Sequence, residues 1–521
     1  MKTKIADLFP GSIDQIPEGF QPDVTKQNHY LMGHIRTHSG PVQDVYSPIS
    51  VGGKPVYLGH YPMITQETAL EGLSLAEQAW DGGNGEWPSM SHEQRIGTMR
   101  HFVRLMKEHR EKIVKMIMWE ICKTLPDAET EFDRTVQYIL DTCNELETRS
   151  LKWEVWSKHG GLQVREGRNP LGVVVCSAPA NYPLNETFTN LIPAVLMGNI
   201  VLFKPAKFGV LLLEPLIECF EEAFPKGTVI TLYGAGEDTL GPIVRTGRIE
   251  TFAFIGGTNT VDRILIQNPV PHRVKLVLGL GAKNPAIVLP GADLATTIPA
   301  CVKGSLGYNG QRCTALKIIF VSKEQETTFI PAFVEAVNKL QPGLPWEKGT
   351  NLTPLLPESM GWMTTLLDDA KLHGAEILNE AGGTINGGYL HPAVLYPVNA
   401  KMKLYREEQF GPLVPIVVYK DIAEVLEWIK TSKYAQQLSV FGTESDFDKG
   451  DIQRVVEATK NQRGRININM LSQRGPDELP FTGRRGSAMG TLDIWNALRI
   501  FSIEDVISVA DTPENKQMLG I

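Results

Sequence analysis

No CxxC pair and no zinc-ligand grouping occurs among the six cysteines of this 521-residue chain, Cys122, Cys143, Cys176, Cys219, Cys301 and Cys313. That absence excludes a disulfide framework and a structural metal site, and the thiols read as free in a reducing compartment. No GxSxG, HExxH or GxxxxGK(S/T) segment is present, so serine hydrolase, zinc protease and P-loop readings lose their main support. His34 and His38 stand four apart, but YLMGHIRTHSG reads as strand and turn, where that spacing is about 13 Å, too far for one metal ion. A long basic block is missing too: 51 Lys and Arg face 59 Asp and Glu, a net charge of −8, which argues against a nucleic-acid partner. The most apolar stretch, residues 191–203, falls short of the roughly 20 residues of a membrane span. The opening MKTKIADLFPGSIDQIPEGF lacks an apolar signal core, so a soluble, cytoplasmic protein is expected. Internal repeats and low-complexity tracts are also missing.

What is present is an ordinary globular balance, 42% hydrophobic and 21% charged residues. The length is about three times a ~150-residue domain, so two or three packed units are expected. Residues 1–40, rich in turn formers, read as an extension that wraps a surface, and VQDVYSPI at 42–49 as the entry into the first strand. From about 70 to 146 the apolar spacing is helical, predicting three or four amphipathic helices. Residues 152–170 alternate around a Gly-Gly turn, which predicts a two-stranded ribbon. Then VVVCSAP, IVLFKP, VITLYG and FAFIGG, each followed by a helical stretch, predict a parallel sheet covered on both faces. PAIVLP, KIIFVS, VPIVVY, LSVFG and RININ repeat the alternation after Lys283 and predict a second α/β unit. EDVISVA in the tail is a further strand, and together with the ribbon it is free to pair across a subunit boundary.

Chemistry concentrates at the ends of these strands. Cys313 lies in YNGQRCTALK, where small and polar neighbours leave the sulfur accessible and the adjacent Arg312 is expected to favour thiolate. Asn181 in CSAPANYPLN follows a buried strand, where open α/β sheets present ligands, and its amide N–H is suited to a developing oxyanion. Lys204 and Lys207 in LFKPAK end the next strand, and Gly256, Gly257 and Thr258 in FIGGT lead into a helix whose free N–H groups suit a pyrophosphate.

In order along the chain, these segments resemble the aldehyde dehydrogenase superfamily from about residue 40 to about 510. NYP carries the oxyanion Asn, FKP the cofactor lysine, GQRCTA the nucleophile, and EEQFGP a ribose carboxylate and a ring that packs on nicotinamide. The resemblance implies an α/β protein with a Rossmann-like cofactor domain (41–150 and 171–282), an α/β catalytic domain (283–486) and a β-ribbon oligomerisation flap (151–170 with the tail, 487–521). It implies Cys313 as nucleophile, Asn181 with the Cys313 backbone N–H as oxyanion site, Lys204 and Glu408 as ribose contacts, Phe410 as the packing ring, and a dimer or tetramer.

Within that superfamily the chain is most similar to the NADP-dependent, non-phosphorylating glyceraldehyde-3-phosphate dehydrogenases. Arg312 precedes the nucleophile, Arg474 lies in SQRGPDELPFTG, Arg134 in EFDRT, and Tyr182 follows the oxyanion Asn. The resemblance places these four around a substrate phosphate, and forked guanidinium donors match phosphate oxygens. Lys207 stands where NAD-preferring members often carry a Glu, so NADP is the expected cofactor. The implied reaction takes D-glyceraldehyde 3-phosphate to 3-phosphoglycerate through a cysteine thiohemiacetal and a thioester. One departure is pronounced. LGLGAKNP has Gly279 where the family pattern ELGGKNP has the Glu that activates water, and no carboxylate occurs from 277 to 288. A trapped acyl-enzyme, a base supplied from elsewhere in the fold, and a different acyl acceptor such as coenzyme A all remain open, as does a weakly catalytic NADP-binding module.

Overall fold

The computed structural model describes residues 5–153 and 155–520. Two sheets organise it. The first runs in the order Val229–Thr231, Ile200–Lys204, Val173–Ser177, Thr251–Ile255, Lys275–Gly279, with all four pairings parallel and Ala488–Met489 added antiparallel at the edge. Every residue of the central strand VVVCS is buried, as expected of a parallel strand covered on both faces. The chain leaves the central Val173–Ser177 strand toward one edge and returns through Thr251–Ile255 on its other side. Between them lies the switch point where such sheets bind ligands, beyond the strands' carboxyl ends.

The second sheet has seven strands, ordered Glu376–Ile377, Ala393–Tyr396, Leu413–Tyr419, Leu316–Ser322, Asn284–Val288, Gln437–Phe441, Arg465–Ile468, parallel except at the first pair. Its two faces carry separate apolar clusters, one around Phe329 and Phe333, the other around Trp428 and Phe320. The predicted strands are present. Ala393–Tyr396, Glu376–Ile377 and the helix Pro357–Leu372 are further elements that the apolar runs did not single out.

The helices expected before residue 146 are Gln66–Trp80, His92–Glu108, Arg110–Ile121 and Leu125–Trp153, with a short turn of helix at Glu86–Ser89. The last of these corrects the ribbon's start. Helix continues through 151–153 because Leu146 and the residues before it bury one continuous stripe, and the ribbon strands are Ser157–His159 and Leu162–Pro170.

The tail strand joins this ribbon. Ser502–Ala510 pairs antiparallel with Leu162–Pro170 of the same chain along all nine residues, from Ser502 opposite Pro170 to Ala510 opposite Leu162. The ribbon and tail thus pair with each other into a three-stranded flap within one chain. The rest of 487–521 lies partly outside the flap: Ala488–Met489 edges the first sheet, and Ile494–Ile500 packs on the long helix Leu125–Trp153. The leading segment bridges the two halves, with Ile5 and Leu8 buried against Leu352 and Tyr389, and the hairpin His29–Met32/His34–Thr37 packed beside Val229–Thr231. The strand Val42–Val51 is therefore preceded by short strands within that segment.

Candidate active site

Cys313 sits in the turn that feeds the strand Leu316–Ser322, and the preceding loop is held in an unusual conformation. Tyr308, Asn309 and Gly310 are successively left-handed, with φ of 49°, 52° and 72°. For the two side-chain-bearing residues this costs energy, so tertiary contacts must impose it. They do. Tyr308 donates its hydroxyl to the Ile121 carbonyl at 2.8 Å, and Asn309 Nδ2 donates to the Thr353 carbonyl at 2.8 Å. At Gly310 a Cβ would stand 2.6 Å from the Gly411 carbonyl oxygen and 2.8 Å from that of Ser305. From the other side Asn284 Nδ2 donates to the Cys313 and Ala315 carbonyls at 2.8 and 3.1 Å, and Asn181 Nδ2 donates to the Gln311 carbonyl at 3.0 Å. A carboxamide nitrogen has two hydrogens, so Asn181 keeps a second donor.

Of the six cysteines, Cys313 alone is partly exposed. Burial around the sulfur still pushes its thiol up to about 11; the Glu186 carboxylate adds to the rise, while Lys317, Arg474 and Gln436 oppose it. This corrects the expected role of Arg312. Its guanidinium turns back to the end of the helix Leu294–Leu306, donating Nε to the Gly307 carbonyl at 3.1 Å and Nη2 to those of Lys303 and Gly304 at 2.9 and 2.8 Å. Sequence adjacency put Arg312 beside the sulfur; the helix-end carbonyls claim it instead.

Two cavities meet at Cys313. The larger, of about 440 Å³, lies at the switch point of the first sheet and is lined by Ser177 to Asn181, Lys204, Lys207, Gly256, Gly257, Gly279, Gly281, Glu408 and Phe410, among others. It gathers every cofactor residue read from the sequence except Thr258, whose place on the wall is taken by Thr260 and Ile264 further along the same helix. Lys204 donates to the Pro205 carbonyl at 2.8 Å, and burial pushes its ammonium down to about 8. Lys207 is exposed and ion-paired with Glu358 at 2.5 Å, so the charge expected to stand free has a carboxylate partner. Glu408 accepts from the Ala282 N–H at 3.0 Å and from the Lys317 ammonium, which also lies 4.8 Å from the centre of the Phe410 ring. At Gly281 a Cβ would stand 2.8 Å from Glu408 Oε2, so that position must be bare for the carboxylate to reach the wall. Gly279 also lines this cavity and presents no side chain to it.

The second cavity, of about 430 Å³, opens on the other side of the sulfur and is lined by Arg134, Tyr182, Glu186, Arg312, Cys313, Thr314, Gln473, Arg474, Gly475 and Pro476. All four residues assigned to the substrate's far end are therefore together. They are not unaccompanied cations. Arg134 forms a two-pronged pair with Asp477, Nε at 3.1 Å and Nη2 at 2.7 Å, and Arg474 donates Nη1 to Glu186. Tyr182 lies under the Lys123 ammonium, 3.1 Å from its ring centre.

Glu186, Asp477 and Lys317 were not singled out in the sequence. Asp477 looks like an ordinary surface charge and Lys317 like the polar entry to the strand KIIFVS, but Glu186 left a signal. It is the one acidic residue in NETFTNLIPAVL, a helix buried along its whole length, where an unneeded charge would be costly.

Comparison with known proteins agrees with this geometry. Residues 36–503 match the model of the Aldehyde dehydrogenase family. The chain is 29% identical over 499 residues to an NADP-dependent glyceraldehyde-3-phosphate dehydrogenase of Streptococcus equinus, covering 94% of this chain and 99% of that one. It is 28% identical over 425 residues to the enzyme of the same name from Pisum sativum, covering 80% and 83%. Among solved structures, the NADP-dependent glyceraldehyde-3-phosphate dehydrogenase from Bacillus halodurans C-125, complexed with NADP, superposes with a TM-score of 0.83 at 30% identity over 94% of this chain and all of that one. With the family model covering nearly its whole length and the strand-end residues meeting around one cysteine, the chain belongs to the aldehyde dehydrogenase family.

Proposed function

We propose that the protein oxidises D-glyceraldehyde 3-phosphate to 3-phosphoglycerate with NADP as the electron acceptor. The observation that carries the reading is the arginine-lined cavity on the far side of Cys313. Each guanidinium is only partly satisfied within the protein: Arg134 Nη1, Arg312 Nη1 and Arg474 Nη2 make no hydrogen bond to any described residue. A phosphate's oxygens can take such donors, whereas an apolar aldehyde would leave them unpaired. Asp477 and Glu186 lower the site's net charge and hold the forks in place, which favours a small anion over a highly charged one.

The cofactor cavity suits a dinucleotide. The N-terminus of the helix Thr258–Leu265 follows bare Gly256 and Gly257, Lys204 and Lys207 offer cations for the adenosine end, and Glu408 and Phe410 would hold the nicotinamide end. Bound there, NADP supplies the hydride acceptor. The chain's own part begins with Cys313, whose sulfur, once deprotonated, adds to the aldehyde carbon. The free Asn181 donor and the Cys313 backbone N–H would meet the oxyanion, and the arginines, binding the unreacting end, would orient the carbonyl. Loss of the hydride leaves a thioester on Cys313, which water releases as the acid. The exposed flap would join copies of the chain into a dimer or tetramer.

Rapid mixing with glyceraldehyde 3-phosphate and NADP should produce NADPH and sustained turnover. Turnover only after coenzyme A is added would replace water by a thiol acceptor, and activity confined to unphosphorylated aldehydes would remove the phosphate site. Arg134→Ala should raise KM for the phosphorylated aldehyde by about 10–100-fold, one lost charge-assisted contact of roughly 1.5–3 kcal/mol, and change glyceraldehyde kinetics little. Arg134 is preferred to Arg474 for this test because Arg474 also holds Glu186.

A further inference from the structure

We propose that Glu186 is the general base that hydrolyses the thioester on Cys313, acting from the first turn of the helix Asn185–Leu196 in place of the carboxylate that position 279 lacks. The inference deepens the proposed function and rests on Cys313 as its nucleophile.

Cys313 and Glu186 are the two residues that line both cavities. An acyl group on the sulfur, with its tail among the arginines, therefore has the Glu186 carboxylate beside the junction through which its carbonyl faces the larger cavity. The two oxygens of Glu186 are in different situations. Oε2 is gripped by Arg474 Nη1, while Oε1 accepts no hydrogen bond from any described residue. Glu408, the other carboxylate on these walls among the described residues, is committed to the Ala282 N–H and the Lys317 ammonium. No histidine lines either cavity.

The backbone of Glu186 is equally well held. Glu131 Oε1 accepts the Leu184 and Asn185 N–H groups at 3.1 and 3.2 Å, and the buried Lys123 ammonium pairs with that carboxylate. The helix start, and with it the side chain, is fixed by a buried charge that caps it. Arg474 then fixes the rotamer and leaves one oxygen open toward the cavities. The negative charge also reaches the sulfur, where it ranks after burial among the causes that keep Cys313 a thiol.

The step balances without a further reactant. Water gives a proton to Oε1 as its oxygen bonds to the thioester carbon, and the tetrahedral adduct collapses with the C–S electron pair returning to sulfur. Glu186 passes the proton to that sulfur, so thioester and water become carboxylic acid and thiol.

The test needs neither cofactor nor phosphorylated substrate. Cys313 should be acylated by p-nitrophenyl acetate, with release of p-nitrophenolate reporting first acylation and then hydrolysis. Wild-type protein should show a burst followed by steady release. Glu186→Gln should keep a burst of about one equivalent while its steady rate falls about 10²–10⁴-fold, and hydroxylamine, which attacks thioesters unaided, should restore turnover. Glu186→Asp, which keeps the charge, should burst fully and release slowly. An unchanged steady rate in Glu186→Gln, or a wild-type protein that falls silent after its burst, would overturn the proposal. If Glu186→Gln loses its burst, Glu186→Asp decides: a full burst with slowed release supports the role, and equal loss of both phases or an unchanged rate ends it. Glu186-dependent ester hydrolysis with no NADPH from glyceraldehyde 3-phosphate would leave this inference standing and remove the substrate assignment.

Discussion

At the residue scale, the reactivity of Cys313 is governed by burial more than by any single neighbour. With the thiol pushed up to about 11, the free protein holds only a small minority of it as thiolate at pH 7. Burial disfavours the charged form, so the thiolate fraction rises with pH until that value is passed. Alkylation of Cys313 by iodoacetamide should therefore accelerate about tenfold per pH unit between pH 7 and 10. A plateau below pH 8 would show a thiolate already formed and contradict the burial argument. The candidate nucleophile was legible because its motif is local, a run of small and polar residues around one cysteine. What Arg312 does was not legible, since its carbonyl partners Lys303, Gly304 and Gly307 come near only when the helix Leu294–Leu306 ends beside it. Glu186 could have been suspected from its apolar company, but its partner Arg474 is 288 residues away, and no local pattern joins them.

At the element scale, the loop before Cys313 is the piece on which placement of the sulfur depends. Left-handed backbone at Tyr308 and Asn309 costs on the order of 1–3 kcal/mol per residue, and the hydrogen bonds to Ile121 and Thr353 offset it. Gly310 admits no side chain, because the Gly411 and Ser305 carbonyls already occupy the space. Gly310→Ala should lower stability by about 1–3 kcal/mol, read as a fall in Tm, and slow acylation by moving the sulfur relative to Asn181. A variant with unchanged Tm and unchanged burst rate would show that the loop has slack. The largely apolar strands of both sheets were recognisable because burial on two faces leaves few polar positions in them. The short strands Glu376–Ile377 and Ala393–Tyr396 were harder to see, since two to four residues give too few positions for any periodicity.

At the scale of the whole molecule, the three-stranded flap stands out from the two packed halves. It exposes Leu162, Ile503, Val506 and Ile507, with Val506 at 61% and Ile503 at 57% of full exposure. A thin sheet with apolar groups on its surface needs a cover, and the proposed oligomer provides one. Val506→Asp should shift the protein to a smaller species in sedimentation velocity, and an unchanged sedimentation coefficient would mean that the contact lies elsewhere. Paired strands Leu162–Pro170 and Ser502–Ala510 lie more than 330 positions apart in the chain, so each was visible as a strand while their pairing within one chain was not. By itself the sequence determined what local chemistry and periodicity encode: the alternating α/β plan, the strand-end motifs, the candidate nucleophile, and the bare position at Gly279. Only the tertiary structure decided which charges share a cavity, that Arg312 faces a helix end, and that Glu186 lines both cavities with Cys313 while pairing with Arg474. The reason is physical: backbone conformation answers to near neighbours, whereas burial and ion pairing are set by groups that meet only when distant segments pack.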